Sequence, residues 1–215
     1  MLAESLNASQ ALGGASPTSV DLILQAVAHG YLGNLIRDQR GAAESLESYN
    51  NAARILEPLE KDVSDVKLIL RNVYAGRAEA YHLMGKYEQA ISDWAGAFER
   101  SPTWEKDRVA ALKAVSQAKS GDVRTAVSEV ERLMQHTSPQ AAQWYNFACV
   151  FSIASVNADG NHQDHAKQAV DQLWQAVQAG FDDVKSLKSD PDLDAVRDRP
   201  DFQEILAELE RRSAE

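Results

Sequence analysis

Apolar residues recur along this chain at the spacing of one helix face, with neighbours three and four positions apart. Three stripes of this kind are clear: Leu22, Val27, Tyr31, Leu35 and Ile36; Tyr87, Ala90, Ile91, Trp94, Ala97 and Phe98; and Val123, Ala126, Val127, Val130, Leu133 and Met134. No run alternates with the period of two that is typical of a half-buried strand, and the apolar segment 146–156 continues a helical pattern. The sequence therefore predicts an all-α fold.

Gly and Pro residues separate these helical stretches at regular intervals. Gly is favoured just past the end of a helix, and Pro cannot continue one. Breaks fall at Arg40-Gly41, Met84-Gly85, Ser101-Pro102, Ser120-Gly121 and Ser138-Pro139. We therefore predict helices of about 12–18 residues joined by short turns.

The clearest internal repeat runs from Asn72 to Pro102. Small residues and aromatic residues alternate in it, at Ala78, Ala90 and Ala97 and at Tyr74, Tyr81 and Trp94. This unit resembles the tetratricopeptide repeat (TPR), a helix–turn–helix unit of 34 residues. In such repeats the small residues sit where two helices cross, and the bulky ones pack on the next helix pair. The resemblance implies a right-handed α-α superhelix.

Three weaker copies align with that unit. The equivalent small positions are Gly33, Ala78, Ala114 and Ala148, at spacings of 45, 36 and 34 residues. Because the first spacing is long by about three helical turns, we expect the second helix of the first pair to extend through Ile55–Leu59. The predicted array covers residues 20–180 as four pairs, at about 21–60, 70–102, 104–139 and 140–180.

The two ends of the chain differ from the repeats. Residues 1–19 are small and polar, and we predict a lead-in that is mobile or partly helical. Residues 181–215 are predicted to cap the array, with Pro200 in the first turn of a last helix. That helix would bury Phe202, Ile205, Leu206 and Leu209 and expose Glu204, Glu208, Arg211 and Arg212.

The C-terminal part carries a second, narrower resemblance. Segments 145–151, 179–181, 190–193 and 200–202 look like the end of the TPR arrays that follow the kinase domain in large bacterial serine/threonine kinases. The resemblance implies a regulatory or partner-recruiting region of such a kinase. The chain itself has no Gly-rich loop, His-Arg-Asp or Asp-Phe-Gly motif. We therefore predict that it is not an enzyme.

Charge and composition narrow the possible partners. The sequence has 22 Lys and Arg against 32 Asp and Glu, a net charge of −10 that repels nucleic acid. The single cysteine, Cys149, excludes an intramolecular disulfide and is predicted to be a half-buried, inert thiol. No secretory signal and no apolar run of membrane-spanning length is present. We expect a cytoplasmic chain, or a soluble domain of a membrane-anchored parent.

The TPR resemblance also implies a binding groove. In this family the first helix of each pair lines a concave surface that binds an extended peptide or a helix. The corresponding positions that could contact a partner are Asn34, Arg37, Asn72, Glu79, His82, Arg108, Lys119, Tyr145 and Asn146. Arg and Tyr are frequent in binding hot spots, and Asn can both donate to and accept from a peptide backbone. The expected function is non-catalytic binding of a protein or peptide, without a cofactor.

A polar insert in the fourth repeat leaves an alternative open. Asp159, His162, Asp164 and His165 lie within seven residues of one another. His162 and His165 are three apart, so on a helix both could face one metal ion. The alternative function is a metal-dependent enzyme or a metal sensor, and the simpler interpretation is a polar loop.

Overall fold

The computed structural model describes residues 17–136, 138–157 and 162–213, and within them every regular element is helical. The eleven α-helices of these residues are α1 (Ser19–Gln39), α2 (Ala42–Leu56), α3 (Val66–Leu83), α4 (Tyr87–Arg100), α5 (Thr103–Ser120), α6 (Val123–His136), α7 (Ala141–Asn157), α8 (His162–Gln178), α9 (Val184–Ser189), α10 (Asp194–Arg197) and α11 (Pro200–Ser213). Short 3₁₀ turns span Glu57–Leu59 and Pro191–Leu193. The predicted all-α class is confirmed.

The N-terminal lead-in was predicted over residues 1–19. Its first sixteen residues lie outside the described part of the chain, and Ser19 already belongs to α1. Thr18 caps this helix, because its hydroxyl accepts from the Asp21 backbone and the Asp21 carboxylate accepts from the Thr18 backbone. The first helix therefore begins at Ser19, the last residue of the predicted lead-in.

The predicted helix breaks are confirmed. α1, α3, α4 and α5 end at or just before the Gly and Pro residues that the sequence marks. Gly85 and Gly121 have φ angles of 70° and 98°, a region that residues with a Cβ rarely adopt. Glycine at these two positions lets the chain reverse directly after a helix.

The predicted extension of the second helix is only partly correct. α2 ends at Leu56, and residues Glu57–Leu59 form a 3₁₀ turn with Pro58 in it. Pro lacks the backbone N–H and clashes with the preceding helical turn, so the α-helix cannot run through it. A longer connection then leads to α3, as the spacing predicted.

The chain divides into two compact units, Met1–Val109 and Ala110–Glu215. In the first unit α1 packs on α2, α2 on α3 and α3 on α4, and α1 also packs on α3. Burying apolar side chains between these helices is the main favourable contribution to folding. The core cluster contains the fully buried Tyr49, Leu56, Val66 and Leu70.

In the second unit the helices α6, α7 and α8 pack in sequence, and the C-terminal elements pack against them. α11 contacts α8 and α9, while α10 and the 3₁₀ turn Pro191–Leu193 contact α7. Phe202, Ile205 and Leu209 are buried, and Glu204, Arg211 and Arg212 are exposed. Leu206 and Glu208 are half-buried, so the predicted two-faced pattern of the last helix is correct for six of its eight residues.

Candidate functional site

Two helices of the first unit bring three of the predicted binding residues together. The Arg37 Nη1 atom on α1 donates to the Glu79 Oε2 atom on α3 across 2.6 Å. The Tyr49 hydroxyl, which comes from α2, donates to the Asn34 Oδ1 atom across 2.6 Å and lies 3.4 Å from Arg37 Nη1. We call the surface formed by Asn34, Arg37 and Glu79 with the adjoining α1 residues Tyr31 and Leu35 the α1–α3 surface.

Tyr49, which was not among the predicted binding residues, supports this surface through its hydroxyl and its ring. A Cβ placed on Gly33 or on Gly76 would lie 2.7 Å from the Tyr49 ring, so both helix backbones touch the ring. Burial raises the pKa of the Tyr49 hydroxyl to about 12, which keeps its proton available for donation to Asn34. The two glycines inside helical stretches were the sequence signal for this close contact.

The α1–α3 surface combines polar and apolar exposure. Asn34 is exposed, and the Glu79 side chain is 53% exposed while that of Arg37 is only 14% exposed. On α1, Tyr31 is 70% exposed and Leu35 is 43% exposed. The apolar stripe that predicted α1 therefore lies partly on the surface, where Tyr31 and Leu35 share a face of the helix with Asn34.

The other predicted residues of the first unit have different surroundings. Asn72 is exposed on α3. His82 packs its ring edge-on against Tyr87 at a centroid distance of 5.4 Å, which anchors it at the start of α4. Arg108 donates to the Glu105 carboxylate, which also accepts from Arg71 across 2.7 Å. Arg108 is therefore held in an ion-pair cluster.

In the second unit, the C-terminal segment of the chain contacts two of the predicted groove residues. The Lys119 Nζ atom lies 2.6 Å from Asp192 Oδ1. The Tyr145 hydroxyl donates to Asp190 Oδ2 across 2.7 Å, and its ring stacks on Phe181 at 4.7 Å. Lys119 and Tyr145, which the sequence predicts to contact a partner, therefore hold residues 181–193 of their own chain.

Two further α7 residues that the sequence singled out, Cys149 and Asn146, are buried or half-buried. Desolvation, followed by the charge of Asp190, raises the pKa of Cys149 well above its usual value. Cys149 is only 2% exposed, so the thiol is more deeply buried than predicted and is unsuited to nucleophilic chemistry. Asn146 is half-buried on the same helix.

The two histidines of the polar insert lie in the first turn of α8. His162 Nδ1 is 2.7 Å from the Ser155 carbonyl oxygen, and His165 Nδ1 is 3.1 Å from Gln168 Oε1. Asp159 lies outside the described residues. Among the described residues, these two histidines included, no three His, Cys, Asp or Glu side chains are grouped closely enough to hold a metal ion.

Comparison with known proteins assigns no family to this geometry. No protein-family model matches the chain, and no curated protein sequence matches it. Among the described helices, none combines the length and the apolar character needed to cross a membrane.

Proposed function

We propose that this chain is a non-catalytic protein-interaction module built from TPR-like helix pairs, and that it binds an extended peptide or a helix on the α1–α3 surface. One observation carries the proposal. The network of Arg37, Glu79 and Asn34 joins α1 to α3, and the exposed Tyr31 and Leu35 adjoin it.

The helix packing of the first unit supports the repeat interpretation. α1 contacts its own partner α2 and also α3, the first helix of the next pair. Stacked helix pairs require this pattern, because each pair buries its apolar face on the following one. We propose that the array continues through residue 180 as a right-handed superhelix of about four pairs.

The hydrogen bonds of the surface favour recognition of a peptide backbone. Because the Asn34 oxygen accepts from Tyr49, the Asn34 amide nitrogen is the part of the side chain left to donate to a partner carbonyl. The Arg37 guanidinium holds Glu79 in place and leaves its carboxylate half-exposed to accept from a partner N–H. Tyr31 and Leu35 supply apolar contact area of the kind that dominates binding energy.

A wider role follows from the resemblance of the C-terminal part. The C-terminal part resembles the arrays that follow the kinase domain in large bacterial serine/threonine kinases. This resemblance supports a role of the chain as a regulatory or partner-recruiting region of such a kinase. The chain lacks the kinase motifs, so in this proposal it recruits a protein and performs no chemistry.

The test compares a double variant of the α1–α3 surface with a control variant at an exposed residue of another helix. Proteins retained from a cell lysate would be identified by mass spectrometry, and tiled peptides from them would be titrated against the purified chain. We expect Tyr31→Ser combined with Asn34→Ala to weaken peptide binding at least tenfold, about 1.4 kcal/mol. The control Trp104→Ser alters an exposed aromatic residue of α5, outside the α1–α3 surface, and should bind as wild type does.

Circular dichroism would establish that both variants keep their helix content. If a folded Tyr31→Ser, Asn34→Ala variant binds every peptide with wild-type affinity, the α1–α3 surface is not the binding site.

A further inference from the structure

A row of large apolar side chains runs along one exposed face of α1. Val20, Leu24 and Tyr31 are 64%, 63% and 70% exposed, and Leu35 is 43% exposed. Spacings of four and seven residues place these side chains one above the other on the same face of a helix. We call these four residues the exposed row of α1.

The exposed row lies opposite the face of α1 that is already packed. The fully buried Ala26 belongs to that packed face, where α1 contacts α2 and α3. α1 is therefore apolar on two sides, and a helix of this kind is normally buried on both. The exposed row calls for a further packing partner.

The segment that precedes α1 in the chain has the sequence pattern of such a partner. Residues 1–16 lie outside the described part of the chain. In a helix, Leu2, Leu6 and Leu12 would fall within about a third of the circumference. The polar residues would fall on the other side: Glu4, Asn7 and Gln10. A helix over residues 2–12 would therefore be amphipathic.

Length and connection both fit an antiparallel pair of this segment with α1. At about 1.5 Å per residue, a helix over residues 2–12 spans about 15 Å and the row from Val20 to Tyr31 spans about 16 Å. Residues 13–18 join the two, with Gly13 where the first helix would end and Thr18 capping α1. Connections of about two to eight residues are usual between packed neighbouring helices.

We propose that residues 2–12 form a helix that packs antiparallel on the exposed row of α1, with Leu12 near Val20 and Leu2 near Tyr31. The short connection favours this occupant, because a tethered segment has an effective concentration in the millimolar range. A helix of this length is marginal in water by itself. The segment therefore becomes helical as it docks.

Docking would regulate the α1–α3 surface. Tyr31 belongs both to that surface and to the exposed row, so the docked segment competes with a peptide for it. This competition rests on the proposed function, whereas the docking does not. The experiment below uses no peptide, so it decides the docking whether or not the proposed function holds.

The experiment locates the segment by NMR on the full ¹⁵N-labelled chain that carries one spin label. The label is attached at Ala3→Cys or, in a second sample, at Ala11→Cys, and it broadens the amide signals of nearby residues. Cys149 is 2% exposed, so wild-type chain treated with the reagent should stay unlabelled and serves as the control. We expect the Ala3 label to broaden the amides around Tyr31 more than those around Val20, and the Ala11 label to do the reverse.

An undocked segment gives a different pattern. Its only fixed point is the connection to Thr18, so both labels then broaden the start of α1 most strongly. If the Ala3 label broadens the amides around Val20 at least as strongly as those around Tyr31, the proposal is overturned.

Variants of the labelled chain test the two apolar faces. Leu2→Ser with Leu6→Ser removes two of the three leucines, and the broadening around Tyr31 by the Ala3 label should fall at least threefold. Leu24→Ser, at an exposed position of α1 that the fold should tolerate, should have the same effect. The control Asn7→Ser changes the polar side of the segment and should keep the wild-type pattern. Wild-type broadening in folded variants of both faces overturns the proposal.

A mixed sample separates docking within one chain from docking on a second copy. Spin-labelled chain without ¹⁵N is mixed with ¹⁵N-labelled chain that carries no spin label. We expect no broadening around Tyr31 in this mixture. If broadening appears there, the segment that covers the exposed row comes from a second copy, and the assignment to the same chain is wrong.

Discussion

At the scale of single residues, the packing of the first unit is tightest around the Tyr49 ring. The ring is 1% exposed and contacts the backbones of both Gly33 and Gly76. A Cβ at either glycine would lie 2.7 Å from the ring, so the ring or the helix that carries the new side chain must shift.

A pair of substitutions on α1 tests this packing. A Cβ added in Gly33→Ala would approach the Tyr49 ring to 2.7 Å, and we expect the free energy of unfolding to fall by about 1–3 kcal/mol. In Gly30→Ala the new Cβ meets only Val73 Cγ2, at an ordinary 3.6 Å. That variant should be unchanged or more stable by up to about 1 kcal/mol, because alanine favours a helix over glycine. Urea unfolding of both variants measures the difference, and equal stabilities would contradict the packing described.

At the scale of helices and segments, the sequence predicts the helix ends and helix faces that depend only on residues close together in the chain. The break after Met84 follows from Gly85, whose left-handed backbone is a local requirement, and the structure confirms it. The apolar face of α11 likewise follows from the spacing of Phe202 and Ile205. Pro58 shows the same dependence, because its ring ends α2 where the repeat alignment alone predicted more helix.

Contacts between distant residues of the chain could not be predicted in this way. Tyr145 and Asp190 are 45 residues apart, and Lys119 and Asp192 are 73 apart. The sequence marked both acidic residues as part of a C-terminal motif, yet no local pattern connects that motif to α5 or α7. Only the packed chain shows that the segment covers side chains expected to face a partner.

The C-terminal helix offers a prediction at this scale. Phe202 is fully buried in α11, which packs on α8 and α9. Phe202→Ala should lower the free energy of unfolding by about 3–5 kcal/mol, because it removes buried apolar surface and leaves a cavity. Glu204→Ala, on the exposed face of the same helix, should change it by less than about 0.5 kcal/mol. If both variants unfold at the same urea concentration, α11 does not contribute to the core as described.

At the scale of the whole molecule, titrating groups set the pH range in which the fold is most stable. Burial, followed by the positive charge of Arg54, lowers the pKa of His29 below its usual 6.5. The contribution of His29 to the free energy of unfolding is complete above pH 6.5 and is lost as the pH falls through the lowered pKa. Burial raises the pKa of Tyr49 and of Tyr74 from 10.0 to about 12. Their contribution is complete below pH 10 and is lost as the pH rises through about 12.

Stability should therefore be highest between about pH 7 and 10 and fall on both sides, for opposite reasons. One group that titrates differently in the two states can contribute at most about 1.4 kcal/mol per pH unit. Urea unfolding between pH 5.5 and 7 should show a smaller change for His29→Gln than for wild type. Between pH 10 and 12, Tyr49→Phe should in turn show the smaller loss. If each variant has the same pH dependence as wild type in its own range, these two residues do not set the limits. The loss of stability in that pH range must then come from other titrating groups of this acidic chain.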